Sequence, residues 1–181
     1  MRSASYKRLA GIGLSVVLTL VCGVAAAQDV RTNSMPGTNF SNFHTYKWVT
    51  VPGVAYPNQI VDQQIKDAVN SQLSAKGLTL TDGDNADLYV TYQTSIQQQQ
   101  QWNAYGMGGG LRWGGGMATA QSSTIDIGTI VLDMYTPTGK QLVWTGRATK
   151  TLNPSKNQQK NQENLNKAIA KLLKNYPPKQ G

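Results

Sequence analysis

The chain has 181 residues, with 17 Lys and Arg against nine Asp and Glu, one cysteine and one histidine. That length fits one domain able to bury its own core, and a single cysteine excludes an intramolecular disulfide framework or a multi-cysteine metal site. With His44 as the sole histidine, any histidine-based acid, base or metal site would need carboxylate partners.

Taken in chain order, Arg2, Lys7 and Arg8 form a basic start and residues 9–21 an apolar stretch. Ala25-Ala26-Ala27 then supplies the small residues of a cleavage site. Residues 1–27 therefore read as a secretory signal cut between Ala27 and Gln28. The apolar stretch is shorter than the ~20 residues that span a bilayer, and polar Gln28-Asp29 follows at once. Three basic and no acidic residues lie in this segment, so the 154 residues from Gln28 carry 14 basic and nine acidic residues, a net charge of +5. Cys22 falls inside the signal after Thr19-Leu20-Val21, where a lipid-attachment site wants leucine first and a small residue last. The exported chain is thus expected to carry neither thiol nor lipid, and nucleic acid is not an expected partner.

Residues 28–41 are polar and irregular and read as a flexible leader. Residues 43–50 are aromatic and β-branched up to Pro52-Gly53, a strand. The period then changes. Ile60, Val61, Ile65, Ala68, Val69 and Leu73 recur at three- and four-residue steps before Lys76-Gly77, which predicts an amphipathic helix over 58–76. A short strand at 78–81 and an acidic turn at 82–85 lead to a half-buried strand, with Leu88, Val90, Tyr92 and Ile96 on its inner side.

Residues 97–121 break the alternation. Gln97 to Gln101, Trp102, Tyr105 and the glycine runs 108–110 and 114–116 around Trp113 read as a long loop, since glycine is entropically costly to order. From Thr124 a strand resumes, and the shift from Ile125 and Ile127 to Ile130, Leu132 and Met134 across Gly128 suggests a bulge. Residues 136–139 turn the chain into a last strand with Leu142, Trp144 and Ala148 inward, completing a hairpin.

The C-terminal helix has an apolar stripe of Leu165, Ala168, Ile169, Leu172 and Leu173, with Lys160, Lys167, Lys171 and Lys174 on another side and Pro177-Pro178 at its end. Residues 140–181 hold nine basic residues against Glu163 alone, so the basic charge is C-terminal. Together the elements predict a single α+β domain over 42–178, a mainly antiparallel sheet with two amphipathic helices packed on one face.

Tyr46-Lys47-Trp48, Lys76-Gly77-Leu78, residues 87–92, residues 128–133, residues 142–148 and Tyr176-Pro177-Pro178, in that order and spacing, resemble the bacterial domain of unknown function family 4136. The resemblance covers the chain after the signal. It implies an exported cell-envelope protein, often a lipoprotein, with no established activity and no catalytic residues to carry over. At Cys22 the chain departs from the lipoprotein members.

The residues themselves offer little chemistry. Asp82, Asp84 and Asp87 superficially suggest calcium, but Gly83 stands at the second place of the run and no glutamate closes a twelve-residue loop. Asp126 and Asp133 lie on strands without an evident partner, no serine sits in a Gly-x-Ser-x-Gly elbow, and the glycine runs lack the strand-to-helix context of a phosphate loop. No enzyme activity, metal or cofactor is expected. Three readings follow: a non-catalytic envelope module touching a partner protein through Trp102, Tyr105 and Trp113; a binder of anionic glycan or lipid head groups through Lys160, Lys167, Lys171 and Lys174, with peripheral membrane contact at most; and, least supported, a hydrolase. The loop is equally a variable insertion and the lysines a solvated helix face near a helix C-terminus.

Overall fold

The structure, a computed structural model, describes residues 28–104 and 120–179, so residues 1–27 with Cys22 and Ala27, the stretch 105–119 with Tyr105 and Trp113, and the last two residues lie outside it. The described chain forms β1 (Asp29–Ser34), β2 (Thr45–Trp48), α1 (Gln59–Ser74), β3 (Thr79–Leu80), β4 (Leu88–Ala104), β5 (Ala120–Tyr135), β6 (Leu142–Leu152) and α2 (Gln158–Leu172). The strands make one sheet in the order β1-β6-β5-β4-β2-β3, in which β2 runs parallel to β3 and β4 and the other pairs are antiparallel. This is a mixed sheet with two helices, an α+β domain as the pattern predicts.

Both helices are set by their ends as well as their stripes. The Asn58 side chain accepts from the Val61 N–H at 3.1 Å, and the Asn157 side chain accepts from Gln159 and Lys160, so each N-terminus is capped. α1 stops where Gly77 takes φ +88° and the N–H groups of Gly77 and Leu78 return to the carbonyls of Ser74 and Leu73. Leu78 and Leu73 are both buried, the apolar contact that accompanies such a stop.

Alternation on the strands builds the core from one sheet face. Tyr46, Leu88, Val90, Tyr92, Leu132, Met134 and Trp144 are buried with Val69, Leu73, Ile169, Leu172 and Leu173 of the helical layer in one cluster. Gly146 belongs to this face: a Cβ there would strike Trp144 Cη2 and lie 2.8 Å from Leu172 Cδ1. The missing side chain is what lets α2 settle on β6. Gly146→Ala is therefore expected to cost about 1 to 3 kcal/mol, the range for overfilling a packed core. At Gly128 the same Cβ would meet Leu152 Cδ2 at 2.7 Å, but Leu152 is partly exposed and can swing away, so Gly128→Ala should stay within about 0.5 kcal/mol of the parent. Urea unfolding of the two variants checks this; a larger loss at Gly128 would contradict it.

Three expectations are corrected. Residues 28–41 are no free leader: β1 pairs with β6 from Asp29↔Thr149 to Ser34↔Trp144, and Phe40 is buried edge-to-face against Phe43 and Tyr176. The stretch reads as polar because β1 takes its place through backbone hydrogen bonds along β6 and sends only Val30 into the core. Nor is 97–121 a loop throughout, since the β4/β5 ladder continues from Gln97↔Ile127 to Ala104↔Ala120. Residues 88–104 contain neither glycine nor proline, and a glutamine run breaks no ladder; the entropic argument holds for the glycines, not for their flank. Finally, register runs unbroken through Gly128, and the irregularity falls at Met134/Tyr135. Ile125 and Ile127 point to the outer face, half-buried, which is why the apolar phase looked shifted.

Candidate functional site

Inward alternation continues along the strands further than the helices cover. At that end Val61 and Ile65 of α1, Leu165 and Ala168 of α2, and Ile96, Ile130 and Leu152 of the sheet enclose a cleft of about 390 Å³. Gly128 and Ala148 add no bulk to its floor, and Lys150, Asn153, Asn161, Asn164 and Gln28 stand among its polar lining. Ile96, expected as core, is 70% exposed at the mouth, and Ile60 of α1 is 66% exposed. Such a group of exposed aliphatic side chains around a concavity is what a binding site for apolar matter requires. Gln28, at the expected cleavage point, donates from Nε2 to the Ala168 carbonyl at 3.2 Å.

Between α1 and the sheet lies a polar layer. Tyr92 Oη donates to Asp62 Oδ1 at 2.6 Å and Lys66 Nζ to Asp62 Oδ2 at 2.9 Å, while Tyr46 Oη and Trp48 Nε1 both donate to Asn70 Oδ1. Burial works to raise the Asp62 pKa, but the hydrogen bonds from Tyr92 and Lys66 prevail and hold it below its ordinary value. Burial, then the bond to Asp62, pushes the Tyr92 phenol up, and burial alone raises Tyr46 to about 12. The Tyr92 phenol thus keeps its proton, and both Asp62 oxygens are engaged. The geometry is that of a satisfied interface holding α1 to the sheet.

The remaining residues singled out in the sequence fall apart in space or into structural roles. His44 is exposed, its Nδ1 3.1 Å from the Asn42 carbonyl. Asp84 pairs with Lys47 at 3.0 Å, and Asp87 Oδ2 accepts from the His44 and Thr45 backbone N–H groups and Thr45 Oγ1, each at 2.9 Å. Asp133 accepts from Thr145 Oγ1 at 2.6 Å on the outer face of the sheet. Lys160, Lys167, Lys171 and Lys174 are exposed; the first three lie on α2, where at 3.6 residues per turn they fall within roughly 40° of one another, and Lys174 follows the end of the helix. Among the described residues the ion pairs are Asp29–Arg31, Asp84–Lys47 and Asp62–Lys66, none of which uses these lysines. Trp102 stands on β4 opposite Ser122, while Tyr105 and Trp113 lie outside the described residues.

The cleft is the feature sequence reasoning missed. Its signal is a surplus: Val61, Ile96 and Leu152 extend the apolar stripes beyond what two helices of this length can cover.

Among solved structures, the chain is similar to a PDZ domain protein from Parabacteroides distasonis ATCC 8503, at 14% identity and a TM-score of 0.56 over 85% of this chain. It spans 37% of that protein, little more than a third, and at this identity the likeness concerns the fold alone. It is also similar to PelC, crystallised as a dodecamer, from Paraburkholderia phytofirmans, at 14% identity and a TM-score of 0.49 over 81% of this chain and 95% of that one. No curated protein matches it. The profile of the family described as a domain of unknown function, DUF4136, matches residues 30–178, from β1 to the segment after α2, and the chain belongs to that family.

Proposed function

We propose that this chain is a non-catalytic accessory module of the bacterial cell envelope, exported by residues 1–27, that works by binding. The observation that carries this reading is the open aliphatic cleft: a domain that covers Trp144 almost completely leaves Val61, Ile96 and Leu152 exposed around a concavity. Apolar area left in water costs about 25 cal/mol per Å², so a ligand that covers it gains what folding has not taken.

The exported protein is expected to begin at Gln28, seen by intact mass, and to enhance the fluorescence of anilinonaphthalene sulfonate. Ile96→Asp, at an exposed position, should abolish that enhancement without moving the melting point. A diacylglyceryl Cys22 at the N-terminus would overturn the processing, and an Ile96→Asp variant that still binds the dye would overturn the cleft. Contact with an envelope partner through Trp102, Tyr105 and Trp113 belongs to the same proposal, with loss of partner binding in a Trp102→Ala, Trp113→Ala double variant as its check.

A second reading rests on the aligned, ion-pair-free lysines of α2, which suit an anionic glycan or lipid surface. Retention on anionic vesicles that disappears in high salt and in Lys167→Glu with Lys171→Glu would support it.

A further inference from the structure

We propose that the cleft takes the aliphatic tail of a single-chain anionic amphiphile, with Lys150 at its head group; this rests on the reading of the cleft as a binding site. Three observations select the class. Among the described residues the lining holds no aromatic ring, so none of them offers the stacking surface that a planar ring or a sugar face would use. Its apolar part is aliphatic throughout, the complement of a flexible hydrocarbon. Its volume of about 390 Å³ stands near the lower end of the roughly 300 to 1,000 Å³ usual for ligand sites, which suits one chain and not two.

The head group follows from charge. Among the described residues Lys150 is the one lining side chain that carries a charge, and in a chain that begins at Gln28, which also lines the cleft, the α-ammonium stands beside it as a further cation. Lys150 sits on β6 opposite Gly128, with Asp126 the next inner residue along β5, and no ion pair joins the two. A lysine on the rim of an aliphatic cavity lays its methylene stem along the apolar wall and holds its ammonium at the water boundary, where the head of a bound amphiphile would come to rest. The Asn164 amide on α2 adds a neutral group to the same lining. A carboxylate or phosphate head matches this better than an ammonium, which would meet Lys150 with like charge.

The test is titration of the exported chain with laurate, octanoate and lauryl alcohol by displacement of anilinonaphthalene sulfonate, with Lys150→Met and Gly128→Val beside the parent. Laurate is expected to bind, octanoate much more weakly because each buried methylene contributes severalfold, and lauryl alcohol about tenfold more weakly than laurate. Lys150→Met, which keeps the stem, should erase the gap between laurate and the alcohol while leaving binding of the uncharged alcohol intact. Gly128→Val, which builds into the floor and displaces Leu152, should weaken both ligands alike. If laurate and lauryl alcohol bind the parent equally, the anionic-head assignment is wrong; if Lys150→Met preserves the gap, the placement of that head at Lys150 is wrong. If the dye enters but laurate does not displace it, this proposal fails and the cleft reading survives; if neither enters, both fail.

Discussion

Trp144→Ala is expected to destabilise the domain by about 3 to 5 kcal/mol, the usual cost of truncating a buried tryptophan. Trp144 is 1% exposed at the centre of the inner face, opposite Met134 on β5. Its ring meets Tyr176 edge-to-face at 5.4 Å, and the bare backbone of Gly146 lies beneath it. The site cannot readily collapse after truncation, because Tyr176 is itself held by Phe40 at 5.8 Å and the sheet backbone beneath is fixed by ladders on both sides. For a domain of this size the loss corresponds to a fall in melting midpoint of roughly 6 to 20 °C. Leu142→Ala, two residues earlier at a position 37% exposed, should shift it far less. Equal effects at the two positions would mean that the inward phase of β6 is not the one described.

The contrast between these two leucine and tryptophan positions shows what the amino-acid pattern carries and where it stops. Helical periods are long-range signals along the chain, so α1 and α2 are legible from their stripes and from Lys76-Gly77 and Pro177-Pro178, and the lysine row is legible from spacings of seven and eleven. Alternation identifies the core phase of β4 and β5 and, from Trp144 on, of β6; Leu142, expected inward, is exposed and Val143 is buried in its stead, because the irregularity at Met134/Tyr135 shifts the phase at that end. Pairing is a different matter. β2 meets β4 over three residues and β3 over two, in parallel, and nothing local in Thr45–Trp48 names either partner. β1 is invisible because its hydrogen bonds come from β6 and only Val30 marks its inner side. The cleft is hidden for a related reason. Ile96 obeys the same alternation as Val90 and Tyr92, and only the place where α1 and α2 begin decides that the latter are core and the former is a mouth.

Short parallel pairing also explains the second large effect expected, at Asp87. Its Oδ2 gathers the backbone N–H groups of His44 and Thr45 and the Thr45 hydroxyl, and its own N–H donates back to Thr45 Oγ1 at 3.0 Å, so one carboxylate ties the start of β2 to the start of β4. The bond from the His44 N–H, aided by those from Thr45 and against partial burial, holds the Asp87 pKa below its ordinary value. A carboxyl whose pKa is lowered by folding contributes stability above the unfolded value of about 3.9, and that contribution is lost as pH falls through the folded value. Asp87→Ala should cost about 3 kcal/mol at neutral pH, since charge-assisted bonds are lost and two backbone donors are left without their acceptor. Asp87→Asn, which can still present an oxygen, should cost less. The difference between the parent and the asparagine variant should hold from neutral pH to about pH 5 and shrink below pH 4, as the parent carboxylate protonates. Unfolding free energies of the parent and both variants at neutral and acid pH measure this directly. A gap that is the same at both would show that the β2 start is held by packing of Tyr46 and Trp48 and that the Asp87 charge is incidental to it.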